Sequence, residues 1–546
     1  MNTKVWKWIF KNGKSSMIFI LLLTLGSVVL SLISLQFSME SKKIIDIAIG
    51  VNESSFFDAC IRIVSLLLLM LIIQISINFV NVHASSRFEI GLKNHIFKKL
   101  LNKDYLSVSA YHSGELLNRI NNDVGTIVSG IITIIPKFAL FITSIVGAFF
   151  YLYMIDSFLA LIILAVGPFV LIGARLYSKK FKKLHKECRE AEGKTSSFIL
   201  EILQNLLVVK SFKNEDVMID KSEKLQRVSY KLRVKRTRIS VIAHIGVFVV
   251  FNAGFYFALA YCAYRLSQNL MTYGDVIAIT QLVNQIQSPF KNMSELVPQF
   301  FSVIASTERL IELEEIKDEA ETGDNLSRDI YNRMDTLVFD NVKFSYSDDA
   351  TVSGINMDIK KGEFAVVAGE SGAGKSTAVK LLLGIFAPDE GEIYIKSGDE
   401  KHILGKKSRD LFAYVPQGNL ILSGTIRENI AFADAKTDEE DIINAAKIAQ
   451  IWDFISSLDE GLDTYIGEKG LGLSEGQAQR ISIARAILSD APVLLLDEST
   501  SALDSKTEEN LLKAIRSMTD KTCIIVSHKQ AAFDVCDKVV YVTKNE

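Results

Sequence analysis

Three short runs carry residues able to do chemistry. The first is Gly369-Glu370-Ser371-Gly372-Ala373-Gly374-Lys375-Ser376-Thr377. Glycines at these spacings let backbone N–H groups wrap a phosphate. Lys375 supplies a positive charge for the β- and γ-phosphates, and Ser376 a hydroxyl for Mg²⁺. An apolar run, Phe364–Ala368, leads into the loop as a buried strand would. A helix starting near Gly374 would point its positive dipole end at the same phosphate. The second run is Val493-Leu494-Leu495-Leu496 followed by Asp497 and Glu498. Asp497 is the expected Mg²⁺ carboxylate. Glu498 is the expected general base for an attacking water. The third run, Cys523-Ile524-Ile525-Val526, ends in Ser527 and His528. Ligands of open α/β sheets bind outside the carboxyl ends of the strands. Lys375, Asp497 with Glu498, and His528 are therefore expected at one sheet edge, with His528 against the γ-phosphate.

These runs need an α/β domain to hold them. From about Leu337 short β-type runs alternate with helical ones, which assigns an α/β fold to residues 336–546. Residues 312–335 are dense in Glu, Asp, Lys and Arg and read as a charged, solvated linker. At 546 residues the chain has room for about three or four domains of ordinary size. Its 61 Lys+Arg against 63 Asp+Glu leave a net charge of −2, which argues against a dedicated nucleic-acid binder. A 49% hydrophobic content excludes a disordered chain. The five cysteines form no CxxC pair, and the seven histidines form no cluster, which argues against a disulfide scaffold and a zinc site.

Residues 1–311 read as an all-α membrane domain. Windows free of Asp, Glu, Lys and Arg occur at 15–39, 63–86, 138–155, 157–174 and 239–264. About 20 helical residues cross a bilayer core. A shorter, more polar window at 276–290 is extended by Val297, Phe300, Phe301 and Ile304, which makes about six spans. The apolar run near the N-terminus is too long for a signal peptide and is read as an uncleaved anchor. Segments 1–16, 87–126 and 176–238 hold four, six and seventeen Lys+Arg, and the alternate segments hold two or none. That bias, with six spans, puts both termini in the cytoplasm, and the plasma membrane is the expected location of this multi-pass chain. The two long internal segments are expected to project into the cytoplasm as helices. Gln281, Asn284, Gln285, Gln287 and Asn292 make the last span rich in amides, suited either to lining a cavity or to bonding helix to helix. Lys137 is read as lying near the inner surface.

With these runs in place the chain resembles the ABC transporters of exporter type, a membrane domain followed by its ATPase. Leu473-Ser474-Glu475-Gly476-Gln477, followed by Ala478-Gln479-Arg480-Ile481, resembles the signature that defines the family's ATPases. The resemblance implies ATP and Mg²⁺ as cofactors. It also implies a half-transporter pairing with a second half, as homodimer or heterodimer, with two ATP sandwiched head to tail. Ser474, Gly476 and Gln477 would then meet the γ-phosphate held by the opposing domain. Tyr346 resembles the aromatic that stacks on adenine, though a strand-end core tyrosine would also fit. Gln417 matches the glutamine that reaches Mg²⁺ and relays to the membrane domain. Asp504, in Ser501-Ala502-Leu503-Asp504, belongs to the loop that crosses the dimer, and His528 matches the family's switch histidine. Thr464–Gly470 and Ser423–Ile430 look exporter-like. Ser113–Leu116 with Arg119 and Asp123, and Val208–Phe212, resemble regions beside the coupling helices. Two departures stand out: Glu475 replaces the commoner glycine, and the chain stops soon after the strand expected at Val539–Thr543. The implied activity is ATP-driven export of a peptide, lipid or drug-like substrate. An importer on this fold and an ATP-gated, non-pumping regulator are the alternatives.

Overall fold

The computed structural model describes residues 3–542 apart from 52, 347–349, 419, 420, 435, 468, 469, 471 and 519. The side chains of 169–180, 182, 244, 294, 295, 350, 351 and 353 are also outside the description. Glu468, Lys469 and Thr543, named above, therefore lie outside the described residues. The chain forms two compact units, Met1–Leu101 with His112–Glu315, and Asn102–Tyr111 with Ile316–Glu546.

The first unit is helical. Its long helices are Met17–Ala48, Phe56–Leu101, Val124–Ile155, Ser157–Gln204, Glu215–Ser267 and Tyr273–Glu315. Among the described residues, four helical segments are long and apolar enough to cross a membrane: Lys14–Ala48, Phe56–Leu101, Ser113–Ile155 and Glu215–Ser267. The helix from Ser157 has a shorter described apolar stretch, Ser157–Pro168. The last helix is more polar, and its amides divide by role. Gln285 donates to the Ser34 carbonyl at 3.1 Å and to Ser38 Oγ at 3.0 Å, stitching this helix to the first. Asn284 and Asn292 bond within their own helix. Gln287 is buried, and neither amide atom has a partner among the described residues. Lys137 is exposed.

A five-residue π-helical turn, Arg119–Asp123, leads into the helix Val124–Ile155. Both end residues are buried charges, and both are answered by the last long helix. Arg119 donates to Glu115 at 2.8 Å, to the Arg309 carbonyl at 2.9 Å and to Glu312 at 3.1 Å. Asp123 accepts from Arg309 Nε at 2.8 Å and from Ser306 Oγ at 2.9 Å.

The second unit holds eleven described strands: β1 (Thr336–Ser345), β2 (Ala350–Lys360), β3 (Phe364–Ala368), β4 (Glu390–Ser397), β5 (Glu400–Ile403), β6 (Phe412–Val415), β7 (Gly424–Thr425), β8 (Tyr465–Ile466), β9 (Val493–Asp497), β10 (Thr522–Val526) and β11 (Lys538–Tyr541). One sheet, ordered β11-β3-β10-β9-β6, is parallel throughout. It is buried on both faces, which is why β3, β9 and β10 read as unbroken apolar runs. Alternate residues feed two cores. Val366, Leu494, Leu496 and Ile525 pack with the helices Glu439–Ile448, Glu475–Leu488 and Ser505–Arg516. Val367, Leu495 and Ile524 pack with Lys375–Leu382 and with the antiparallel sheet β2-β1-β4-β5.

The segment expected as a solvated linker is largely paired. Residues 312–315 complete the last long helix. Beyond them Glu319 meets Arg409 and Lys406, and Asp324 accepts the Ile403 N–H at 2.8 Å. Lys103 bridges to Asp318 at 2.7 Å, beside backbone bonds from Asp104 to Lys317 and from Glu319 to Asn102. This seats a short helix, Tyr105–Ser109, capped by Asp104, on the second unit. Leu106 packs against the core of the antiparallel sheet, and the Tyr105 ring lies 6.3 Å from that of Phe386.

Candidate functional site

Because the large sheet is parallel, the carboxyl ends of its strands share one edge. Val526 is level with Asp497 and with Val367, and Val415 is level with Leu496. The loops leaving β3, β6, β9 and β10 therefore bring Gly369–Thr377, Gln417, Asp497 with Glu498, and His528 to that edge.

The loop from Gly369 to Gly374 takes backbone conformations that side chains resist. Gly369 has φ +152°, and a Cβ there would stand 2.2 Å from the Val542 carbonyl oxygen. Gly374, at φ +90°, is the left-handed residue that starts the helix Lys375–Leu382. Lys375 Nζ folds back over the loop, donating to the Gly369 and Glu370 carbonyls at 2.9 and 2.8 Å. Ser376 Oγ donates to Asp497 Oδ1 at 2.9 Å. Thr377 is buried, and its Oγ1 lies 3.2 Å from the Tyr346 hydroxyl. The Tyr346 ring is 41% exposed and stands edge-on to Phe344 and Phe386, so it has a face to offer a base.

Asp497 is almost fully buried. Its second oxygen accepts from the Tyr414 hydroxyl at 3.2 Å. Burial pushes its carboxyl above the usual range, against the two hydrogen bonds that favour the anion. Burial and the neighbouring Asp497 raise the Tyr414 phenol well above its ordinary value, so it remains a donor. Tyr414 has no sequence signature: it precedes Val415-Pro416-Gln417 on β6, and only the strand pairing brings it to Asp497.

Glu498 follows with φ +46°, a left-handed conformation that costs a non-glycine residue about 1–2 kcal/mol. Its N–H donates to the Val526 carbonyl at 3.0 Å, which anchors the turn. Its Oε2 accepts from Gln417 Nε2 at 2.6 Å. An unfavourable backbone held this firmly beside a paired carboxylate is the pattern of a functional position. His528 is exposed at the end of β10.

The signature residues form a separate arrangement. Ser474 caps the helix Glu475–Leu488: its Oγ accepts the Gln477 N–H at 3.3 Å, and Gln477 Oε1 accepts the Ser474 N–H at 2.8 Å. Glu475 is exposed in the first turn, and Gly476 lies against the Ala502 carbonyl. No hydrogen bond among the described residues joins Ser474, Gly476 or Gln477 to the loop 369–377. Asp504 caps the helix Ser505–Arg516 through Thr507, and that bond holds its carboxyl below the usual range.

A hard divalent cation takes oxygen ligands. Ser376 Oγ and Asp497 Oδ1, already a hydrogen bond apart and within the parallel-sheet edge that carries Gln417, fit that demand. Beside them the loop at Gly372 is open: a Cβ there would meet no atom within 4 Å.

Residues 20–290 match the model of the ABC transporter transmembrane region, and 352–501 match the ABC transporter model. An ATP-dependent lipid A-core flippase of Alcanivorax borkumensis is 30% identical over 83% of this chain and 78% of its own length. The flippase of that name from Escherichia coli is 28% identical over 84% of this chain and 79% of its own. In solved structures, a bacterial Atm1-family ABC exporter with ATP bound shares the fold, with a TM-score of 0.79 and 22% identity over 98% of this chain and 95% of the exporter.

Proposed function

From the premise that the chain belongs to the ABC transporters, as an ATP hydrolase coupled to transport, we propose that it is a half-transporter exporting a lipid-like amphiphile. Two halves pair head to tail, and each signature completes the nucleotide site of the other. The arrangement of the edge residues carries this reading. Lys375, Ser376, Asp497, Glu498 and Gln417 gather on one sheet edge, whereas Ser474 and Gln477 are bonded to each other on a separate helix.

Each residue then has a task. The loop N–H groups and Lys375 bind the β- and γ-phosphates, and the Tyr346 face takes the adenine. Ser376, Asp497 and Gln417 hold Mg²⁺, which supplies neutralising charge to the triphosphate. Tyr414 keeps Asp497 oriented. Glu498 accepts the proton of the attacking water, and His528 donates to the γ-phosphate oxygens. Phosphate charge shared between the two halves draws the ATPase domains together, and hydrolysis releases them. The membrane domain alternates its opening in step. The flippase relatives support a lipid-like cargo; the four described segments long and apolar enough to span support a multi-pass domain, which the helices from Ser157 and Tyr273 would bring to about six spans.

The test is reconstitution of the chain in liposomes carrying a fluorescent phospholipid. ATP is expected to drive dye-lipid between leaflets and to be hydrolysed in step. Glu498→Gln should lose both while still binding ATP. Hydrolysis that moves none of a panel of lipids but responds to peptides or drugs would reject the lipid reading. Near-normal turnover in Glu498→Gln would remove that residue from the base role.

A further inference from the structure

We propose that Lys529 is a positioning residue for hydrolysis, an ammonium clamp that fixes the loop after Glu498 and ties it to the turn carrying His528. The inference rests on the hydrolytic reading above and adds a residue to it. Residues 499–503 form an irregular turn between Glu498 and the helix Ser505–Arg516. Lys529 Nζ donates to two carbonyls of that turn, Thr500 at 2.8 Å and Leu503 at 3.0 Å. It also pairs with Glu508 Oε2 at 3.2 Å. Those three acceptors match the three N–H groups of an ammonium. Glu508 is 1% exposed, and its other oxygen accepts from Thr500 Oγ1 at 2.7 Å. The opposite side of the turn is held by Gln479 of the signature helix, which donates to Ser501 Oγ and accepts the Ala502 N–H, both at 3.2 Å.

The turn is thus gripped by three side chains: Gln479 from the helix that Ser474 caps, Glu508 through Thr500, and Lys529 adjoining His528. Glu498 and His528 lie beyond neighbouring strands, β9 and β10, and Lys529 is a side chain that links their loops. Its own N–H is bonded to Ser527 Oγ at 3.1 Å, so the grip is continuous with the strand end. A base displaced by about 1 Å loses on the order of a hundredfold in rate, so a clamp next to the base acts on kcat more than on nucleotide affinity.

Lys529 also neutralises a buried carboxylate, and leaving Glu508 unpaired would destabilise the fold on its own account. The experiment separates the two roles. Wild type, Lys529→Met, Lys529→Arg, Lys529→Met/Glu508→Gln and Glu498→Gln of the full chain are compared in lipid nanodiscs. The measurements are ATPase kinetics, fluorescent-ATP affinity, Tm, and hydrogen exchange over residues 499–504. Expected in Lys529→Met is a fall in kcat of about tenfold or more, with ATP affinity within about twofold and faster exchange in the turn. Lys529→Arg should retain most of the rate. The double variant should recover Tm while kcat stays low and exchange stays fast. If the double variant regains both kcat and slow exchange, Lys529 is only a counter-ion and the proposal falls. Unchanged kcat in Lys529→Met also ends it. Should Glu498→Gln hydrolyse ATP like wild type, the hydrolytic reading fails instead, and the exchange data still decide whether Lys529 fixes the turn.

Discussion

At the scale of single residues, Asp497 carries an energetic cost for its task. Its folded pKa lies above the unfolded value of 3.8 because burial penalises the anion. Between the two values the folded chain keeps a proton that the unfolded chain has released. Stability therefore declines as pH rises through that window, and the full cost is present above it. Asp497→Asn should raise the neutral-pH Tm by roughly 2–4 °C, the gain shrinking on acidification, while Mg²⁺-dependent hydrolysis disappears. Thermal scans at several pH values, paired with ATPase assays, check both halves. Tyr414→Phe removes one of the two donors to Asp497 and should raise the Mg²⁺ concentration needed for half-maximal rate by about three- to tenfold. A Mg²⁺ titration of the rate measures it. Glu475 stands in the first turn of the signature helix, where a carboxylate would oppose an incoming phosphate. Glu475→Gly should then lower the KM for ATP, as read from steady-state kinetics.

At the scale of elements, the short helix Tyr105–Ser109 interrupts the path between long helices and belongs to the ATPase unit by its packing. Leu106→Glu would place a charge in the apolar patch beside Phe386. Transport should drop about tenfold while ATP affinity holds, which flux and binding measurements in the same vesicles would show. The elements that the sequence disclosed were those with a local cause. Unbroken apolar runs marked β3, β9 and β10, because a parallel sheet covered on both faces needs no polar alternation. Glycine spacing marked the turn before Lys375, because only those residues take its backbone angles. Hidden from the sequence were features made by pairing at a distance. Tyr414 reaches Asp497 only because β6 lies beside β9, and the charges of 316–324 lose their linker character only once Arg409, Lys406 and Ile403 are folded opposite them. The capping box at Ser474 was visible as spacing, but its separation from residues 369–377 is a matter of topology.

At the scale of the whole molecule, one chain supplies the phosphate loop and the signature on different elements, and the proposed mechanism needs two chains. Carrying Glu498→Gln with Ala502→Cys, two copies should cross-link through that turn in ATP and Mg²⁺ and much less without nucleotide. Cross-linking that is independent of ATP, or absent at saturating ATP, would reject closure by nucleotide. One feature of the membrane unit bears on how such motion can be inherited. The π-helical turn Arg119–Asp123 holds its residues in wider register than the α-helices flanking it, and its two end charges are matched to partners on another helix. It behaves as a vernier, a coil wound with one residue to spare. Removing a single codon, such as that of Asn121, would let the coil close to ordinary pitch with the flanking helices kept nearly in phase, whereas removing two would rotate everything beyond it by about 100°. Arg119 and Asp123 would then face different neighbours. The turn can spare one residue between its ends, but not the paired charges Arg119 and Asp123 that close it.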